Sequence, residues 1–343
     1  MNTPLVPALR ELEILFRPFL HRKLPLRGRV VMSTTEPQTS ATTKAPDHAA
    51  QYYRQRALHD IALVITEGLA VNTPAAGTTE QAAVLGDGKS LRLWKNVCRA
   101  THSVGCKIAA RLYHAGMAHQ PQNRAVSPSG INPISLRKEG VPLSKQAMAD
   151  ISTAFGTAAA NARAIGFDAV EIQGNGGFLI EQFLWPDTNH RPDEYGGSLP
   201  ARARFACQVI QATRKAVGRN FPIIFKFSQW KSGQDTPALT QNAHELAELL
   251  HMLCDAGADV FHCSATHFAR PALPGNPLTL AAWVRLLTGK PTICTGNIGS
   301  ATPQSHLFNG LLRMLHANSV DLIALNRTLH HSPNWATALR SGQ

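Results

Sequence analysis

Five polar side chains stand where short apolar runs of this chain stop: Glu36, Arg111, Gln173, Lys226 and His262. Brought together, they would set an acid and two bases beside a neutral amide and an imidazole. Such a set can bind, orient and move protons around a small molecule. A buried cation without a partner is costly, so Arg111 beside Lys226 requires a compensating carboxylate. Glu36 is the candidate that arrives from the loop after the first run. The alternative is a Glu36 that points to solvent from that loop. Tyr113, Asn175, Phe178 and His267 lie close in sequence to these positions and are the candidate substrate-binding residues.

The elements that must position them read as repeated βα units. Strands are expected at 29–33, 62–66, 107–113, 169–173, 223–227, 260–263, 292–295 and 321–325. Helical patterns follow at 49–59, 89–103, 145–164, 198–216, 241–256, 278–288, 303–316 and 334–340. In the third of these, Ser144 is a plausible N-cap and Gly166 a stop. Eight units in order predict a closed (β/α)₈ barrel, whose function gathers at the C-terminal strand ends. An open doubly wound sheet is the rival, but Thr34-Thr35-Glu36-Pro37 follows the first strand where a G-x-G-x-x-G turn would be needed. The expected organisation is one barrel over 1–343, with a lead-in at 1–28 and long loops at 34–48 and 114–143 over the mouth.

The chain is 44% hydrophobic and 16% charged, which suits a globular protein with a large core. Its formal charge of +12 is spread out, with no dense Lys/Arg block, so no nucleic-acid partner is expected. Cys98, Cys106, Cys207, Cys254, Cys263 and Cys294 form no C-x-x-C pair, so no metal site is expected. Cysteines within apolar runs fit a reducing cytoplasm. Arg10, Glu11 and Glu13 precede any apolar run, and nothing approaches the roughly 18 apolar residues of a membrane span.

An ordered set of short motifs resembles the old yellow enzyme family. It runs from Leu15-Phe16 and Arg29-Val-Val-Met32 through Tyr52-Tyr53-Arg54-x-Arg56-Ala57, Ile65-Thr-Glu-Gly68, Leu112-x-His114-Ala-Gly116 and Gly166-Phe-Asp168. It continues with Arg191-Pro-Asp-Glu-Tyr-Gly-Gly-Ser198, Arg202-Ala-Arg-Phe205, Thr295-Gly-Asn297 and Asn326-Arg327. Each motif is weak alone, and the ordered set is specific. The resemblance implies a barrel that carries FMN across its mouth and reduces activated alkenes. Lys226, Gly296, Asn297 and Arg327 are then the cofactor-binding positions, and His114 and Glu67 belong to the scaffold.

Where the family reads Glu-Ile-His-Gly-Ala-His/Asn-Gly-Tyr-Leu, this chain has Glu171-Ile-Gln-Gly-Asn-Gly-Gly-Phe-Leu179. Gln173 and Gly176 replace the two substrate anchors, and Phe178 replaces the proton-donating tyrosine. Tyr113, His262 and His267 are the possible surrogate acids. Glu36 replaces a hydroxyl that tunes the flavin, Arg111 a glutamine at the flavin's edge, and Lys226 an arginine; Asn326 replaces a glycine at the phosphate. In the alternative placement of Glu36, Arg111 hydrogen-bonds the flavin. The leading expectation from these losses is a flavin-free, colourless barrel that holds no cofactor. It would catalyse a non-redox cyclisation, rearrangement or isomerisation of a hydrophobic small molecule in specialised metabolism. The alternatives are an FMN-dependent NAD(P)H oxidoreductase with an altered proton donor, and a catalytically silent binding barrel.

Overall fold

The structure is a computed structural model that describes residues 9–34, 46–71, 84–86, 88–118, 125–231, 238–300 and 305–342. Eight parallel strands close into a barrel: β1 Val30–Ser33, β2 Leu63–Ala70, β3 Lys107–Tyr113, β4 Ala169–Gln173, β5 Ile223–Ser228, β6 Val260–Ser264, β7 Thr292–Thr295 and β8 Leu322–Leu325. Each pairs with its sequence neighbours, and β1 pairs with β8 to complete the ring. The described helices after β1 are α1 Pro46–Ala57, α2 Gly88–His102, α3 Lys145–Ile165, α4 Leu179–Leu184, α5 Leu199–Val217, α6 Ala243–Ala256, α7 Leu280–Thr288, α8 His306–His316, α9 Thr328–His331 and α10 Trp335–Ser341. The expected (β/α)₈ barrel is the observed fold.

Local chemistry sets these boundaries. Ser144 Oγ accepts from Ala147 N at 3.1 Å to start α3, and Gly166 ends it in the left-handed region at φ 107°. Ser198 and Asn242 cap α5 and α6 in the same way. Strand β2 runs past its expected end to Ala70, through a register shift between Ile65 and Gly68. Gly68 is required there, because a Cβ would lie 2.9 Å from the Tyr113 ring. The loop expected at 114–143 holds a two-stranded ribbon, Val126–Ser127 beside Val141–Pro142. Helix α4, which follows the Gly-rich turn after β4, was not expected. Most of the 34–48 loop lies outside the described residues.

Side-chain alternation divides the barrel interior into two layers. The lower layer is apolar: Val31, Leu63, Ile65, Ala109, Ala169, Ile224, Val260, Ile293, Leu322 and Ala324 form one buried cluster with Phe19, Leu24 and Leu26. Those last three belong to a small hairpin, bridged Phe19 to Leu26, that plugs the N-terminal end. Two residues further along several strands the same inward face becomes polar, with Ser33, Arg111, Glu171, Lys226 and His262.

At the N-terminal rim one device recurs three times. Asp168, Asp259 and Asp321 each precede a strand, and each accepts the first backbone N–H of the preceding strand or its neighbour. The acceptor contacts are Ile108 N to Asp168 at 2.9 Å, Ile223 N to Asp259 at 3.0 Å and Thr292 N to Asp321 at 3.0 Å. Asp168 also binds Lys107 at 2.7 Å and His102 at 2.7 Å, while Asp259 binds Lys23 at 2.6 Å and the Arg214 guanidinium. These carboxylates staple β3 to β4, β5 to β6 and β7 to β8. Replacing Asp259 by Ala is expected to lower unfolding stability by about 2–4 kcal/mol in urea titration, and Asp168→Ala by about 1–3 kcal/mol. Ligand binding at the opposite end should be unchanged in both variants.

Candidate active site at the barrel mouth

The polar layer is organised by a carboxylate. Glu171, on the inward face of β4, is fully buried. Its Oε1 accepts from Arg111 Nε at 2.6 Å, and its Oε2 contacts His262 Nδ1 at 2.6 Å. The sheet register makes this possible, since Arg111 and Glu171 are direct cross-strand partners. The rest of the guanidinium is also committed: Nη1 donates to the Thr34 carbonyl, and Nη2 to Ser33 Oγ at 2.7 Å. Arg111 therefore ties β1, β3 and β4 together, with each of its three nitrogens donating to the protein.

The titration behaviour follows from that geometry. Burial is the largest influence on Glu171 and opposes its ionisation. Arg111, His262 and Lys226 outweigh it together and hold the carboxyl well below its ordinary range. Burial lowers His262 to about 4, so the ring is neutral at pH 7. With the carboxylate ionised, its Nδ1 carries the proton donated to Glu171, which leaves Nε2 as a buried acceptor with no partner among the described residues. Burial and then the Arg111 charge lower Lys226 to about 7.

Lys226 and Gln173 complete the row. Gln173, Lys226 and His262 are successive Cα partners across β4, β5 and β6. Gln173 Nε2 donates to Asn175 Oδ1 at 2.9 Å and to the Asn175 carbonyl at 3.2 Å. The backbone carbonyl can only accept, so the amide is oriented with Oε1 left over, buried and without a partner among the described residues. Asn175 thus orients Gln173. Phe178 packs against Tyr113 with ring centroids 5.0 Å apart, joining Ala115 and Ala118 in a small apolar wall. Gly176 holds φ 79°, and a Cβ there would meet the Phe178 ring at 3.5 Å and Gln173 Nε2 at 3.6 Å.

The remaining expected residues divide. His267 stacks on Phe268 at 5.0 Å and its Nδ1 accepts from Ala269 N at 3.3 Å, so it serves its own loop. Gly296 is buried at φ 141°, where a Cβ would lie 2.6 Å from the Ala265 carbonyl. Asn297 follows in the left-handed region at φ 53°, and exposed Arg327 begins α9. Glu36 lies outside the described residues. The carboxylate beside Arg111 is Glu171, which had been read only as part of a motif. Its signal was its position two residues before Gln173, on the same inward face. His114 is buried and neutral, lowered by burial to about 3, and its Nδ1 accepts from Gly116 N at 3.0 Å.

A second buried carboxyl sits behind the β4–α4 turn. Glu181 accepts from the Gly177 N–H, while its other oxygen has no partner among the described residues. Burial raises it to about 7.

These residues fit FMN in kind. A buried lysine with no salt-bridge partner among the described residues and two orphaned acceptors stand on adjacent strands at the mouth, which suits a planar polar ring edge bearing both acceptors and a donor. Among the described residues no cluster could hold a metal ion.

Residues 14–343 match the family described as NADH:flavin oxidoreductase / NADH oxidase. A metal reductase of Desulforamulus reducens is 36% identical over 63% of this chain and 32% of its own length. An NADH oxidase of Thermoanaerobacter brockii is 28% identical over 93% of this chain and 50% of its own. The chain thus spans half or less of those two relatives. An NADPH dehydrogenase of Clostridium acetobutylicum is 28% identical over 93% of this chain and 92% of its own. Among solved structures, morphinone reductase superposes with TM-score 0.78 at 23% identity, covering 96% of this chain and 89% of its own. An old yellow enzyme from Pichia sp. AKU4542 superposes with TM-score 0.79 at 22% identity, covering 96% and 87%. The family match and the oxidoreductase relatives overturn the expectation of a flavin-free cyclase or isomerase with no cofactor. The lost side chains change the site without removing the features on which the family is recognised.

Two stability outcomes follow. Glu171→Gln strands the Arg111 charge and is expected to cost about 3–5 kcal/mol in denaturant unfolding, with Glu171→Asp recovering part of the loss. For Glu181 the folded carboxyl binds its proton more tightly than the ordinary 4.5 of an unfolded one. The resulting destabilisation is absent at pH 4, grows as pH rises towards 7, and is complete above it. Glu181→Gln should therefore stabilise the protein by about 1–3 kcal/mol at pH 8 and by little at pH 4. An equal gain at both pH values would show that Glu181 is not protonated in the native state.

Proposed function

Because this chain belongs to the NADH:flavin oxidoreductase / NADH oxidase family, we propose that it is an FMN-dependent oxidoreductase that takes electrons from NADH or NADPH and passes them to a small organic acceptor. The match over residues 14–343 carries the reading. The relatives named NADH oxidase and NADPH dehydrogenase support the nicotinamide donor. FMN, when bound, stores and transfers the hydride.

The chain's own side chains hold and sort what meets there. Lys226 provides the charge at the mouth, with Gly296, Asn297 and Arg327 at the phosphate end. Arg111 and Glu171 keep the strand ends rigid, so that Lys226 and Gln173 are held in place. Tyr113 and Phe178 form an apolar wall that excludes water and suits an apolar acceptor. Phe178 carries no proton, and the phenol packed against it is that of Tyr113, which we assign as the proton donor to the acceptor. The six free thiols support a reducing, cytoplasmic setting. No helix among the described residues is long and apolar enough to cross a membrane.

Adding FMN to purified protein should give a yellow complex whose visible band bleaches anaerobically with NADH or NADPH and returns on adding an acceptor. Protein that retains no FMN, or a complex that neither nucleotide bleaches, would overturn the assignment. Tyr113→Phe should leave bleaching intact and slow the return by roughly 10²-fold for an acceptor that needs protonation.

A further inference from the structure

We propose that Lys226, which has no counter-charge of its own among the described residues, takes up a proton from solvent onto its Nζ when FMN binds. The inference rests on the FMN-dependent reading and concerns the linkage between cofactor and proton.

The charge arrangement carries it. Among the described residues, the charged and titratable groups facing Lys226 are Arg111 from β3, Glu171 from β4 and His262 from β6. Both Glu171 oxygens are occupied, one by Arg111 and one by His262. All three Arg111 nitrogens are occupied by Glu171, Thr34 and Ser33. His262 is neutral, with its proton on the Glu171 side. The Arg111–Glu171 pair therefore sums to zero, and a protonated Lys226 would make the layer +1. Lys226 is 9% exposed and has no hydrogen-bond partner among the described residues. A buried ammonium in that position is unfavourable, and burial with Arg111 repulsion brings Lys226 to about 7.

FMN is an electron-rich anion whose ring edge offers acceptor atoms. Bringing it to the mouth supplies what the ammonium lacks, so the ammonium form is favoured in the complex. The proton passes from a buffer acid to the Nζ lone pair, and no other bond changes. An arginine at this position would stay charged at every working pH and show no such linkage. Lysine converts a fixed counter-charge into one that forms on binding.

Titration calorimetry of FMN into cofactor-free protein at pH 8, in two buffers of different ionisation enthalpy, reads the proton count directly. The expected result is uptake of close to one proton at pH 8, about half at pH 7 and little at pH 6. The sign follows from linkage: affinity should weaken up to about tenfold per pH unit above 7, since binding consumes a proton. Lys226→Arg should bind FMN without this uptake, which also removes any contribution of the FMN phosphate by difference. Lys226→Met should bind more weakly with none. The pH series on unaltered protein stands even if a variant fails to fold. Binding with no uptake at pH 8, or uptake equal in Lys226→Arg, overturns this inference alone. Failure of unaltered protein to bind FMN at any pH overturns the oxidoreductase reading as well.

Discussion

Glu171 holds the upper half of this barrel in its observed arrangement. Its carboxylate is fully buried, which is unfavourable in isolation, and it persists because an arginine and an imidazole take its two oxygens at 2.6 Å each. From there the consequences spread through the strands. Arg111 reaches β1 through Ser33 and Thr34, and His262 is held in one tautomer on β6. Four of the eight strands are thereby joined by side chains at the mouth, on top of their backbone ladder. The same closure isolates Lys226 from its neighbour on β4, because neither Glu171 oxygen remains for it.

The two ends of the barrel use carboxylates differently. At the N-terminal rim, Asp168, Asp259 and Asp321 bind backbone amides and partly exposed bases, and the apolar hairpin of Phe19, Leu24 and Leu26 seals the floor. Those contacts stabilise strand starts and involve no ligand-facing atom. At the C-terminal mouth, polar groups are left incomplete among the described residues: Gln173 Oε1 and His262 Nε2, beside the buried Lys226 amine. Unpaired polar atoms are costly in a finished core and useful where a bound molecule completes them. The barrel thus separates stability from binding along its axis.

How legible this was in the sequence differs by level. All eight strands and the helices that follow them were readable, because β-branched runs, Ser144 and Ser198 caps and Gly stops are local signals. Helix α4 was hidden because its six residues directly follow a Gly-rich turn, and the Gly68 register shift because it depends on the Tyr113 ring. At the site, Arg111, Gln173, Lys226 and His262 lie together on the inward face of β3, β4, β5 and β6. The need for a carboxylate beside Arg111 was also read from the sequence, and the question of which carboxylate stands there has Glu171 as its observed answer, whereas the sequence pointed to Glu36, which lies outside the described residues. Strand pairing decides that question, since register sets Arg111 beside Glu171, and register between non-adjacent segments leaves no local trace. The cofactor expectation failed for a different reason. Arg111 was weighed as a loss from the flavin site, whereas its nitrogens had gone to the scaffold.

That distinction bears on how such a site changes its chemistry. A substitution at a ligand-facing position either removes a group or redirects it. Arg111 is redirected, since every nitrogen finds a protein acceptor. Gln173 is redirected within its own loop, its nitrogen on Asn175 and its oxygen unfilled. Phe178 is a true removal, and its ring builds an apolar wall with Tyr113 where a hydroxyl would have been. The mouth that results has fewer fixed donors and one charge whose presence depends on what is bound. Preorganised donors act on developing charge without reorganising, whereas a titrating ammonium acts only after a proton arrives. Recognition in this barrel is therefore shifted from geometry built into the strands towards charge completed by the ligand.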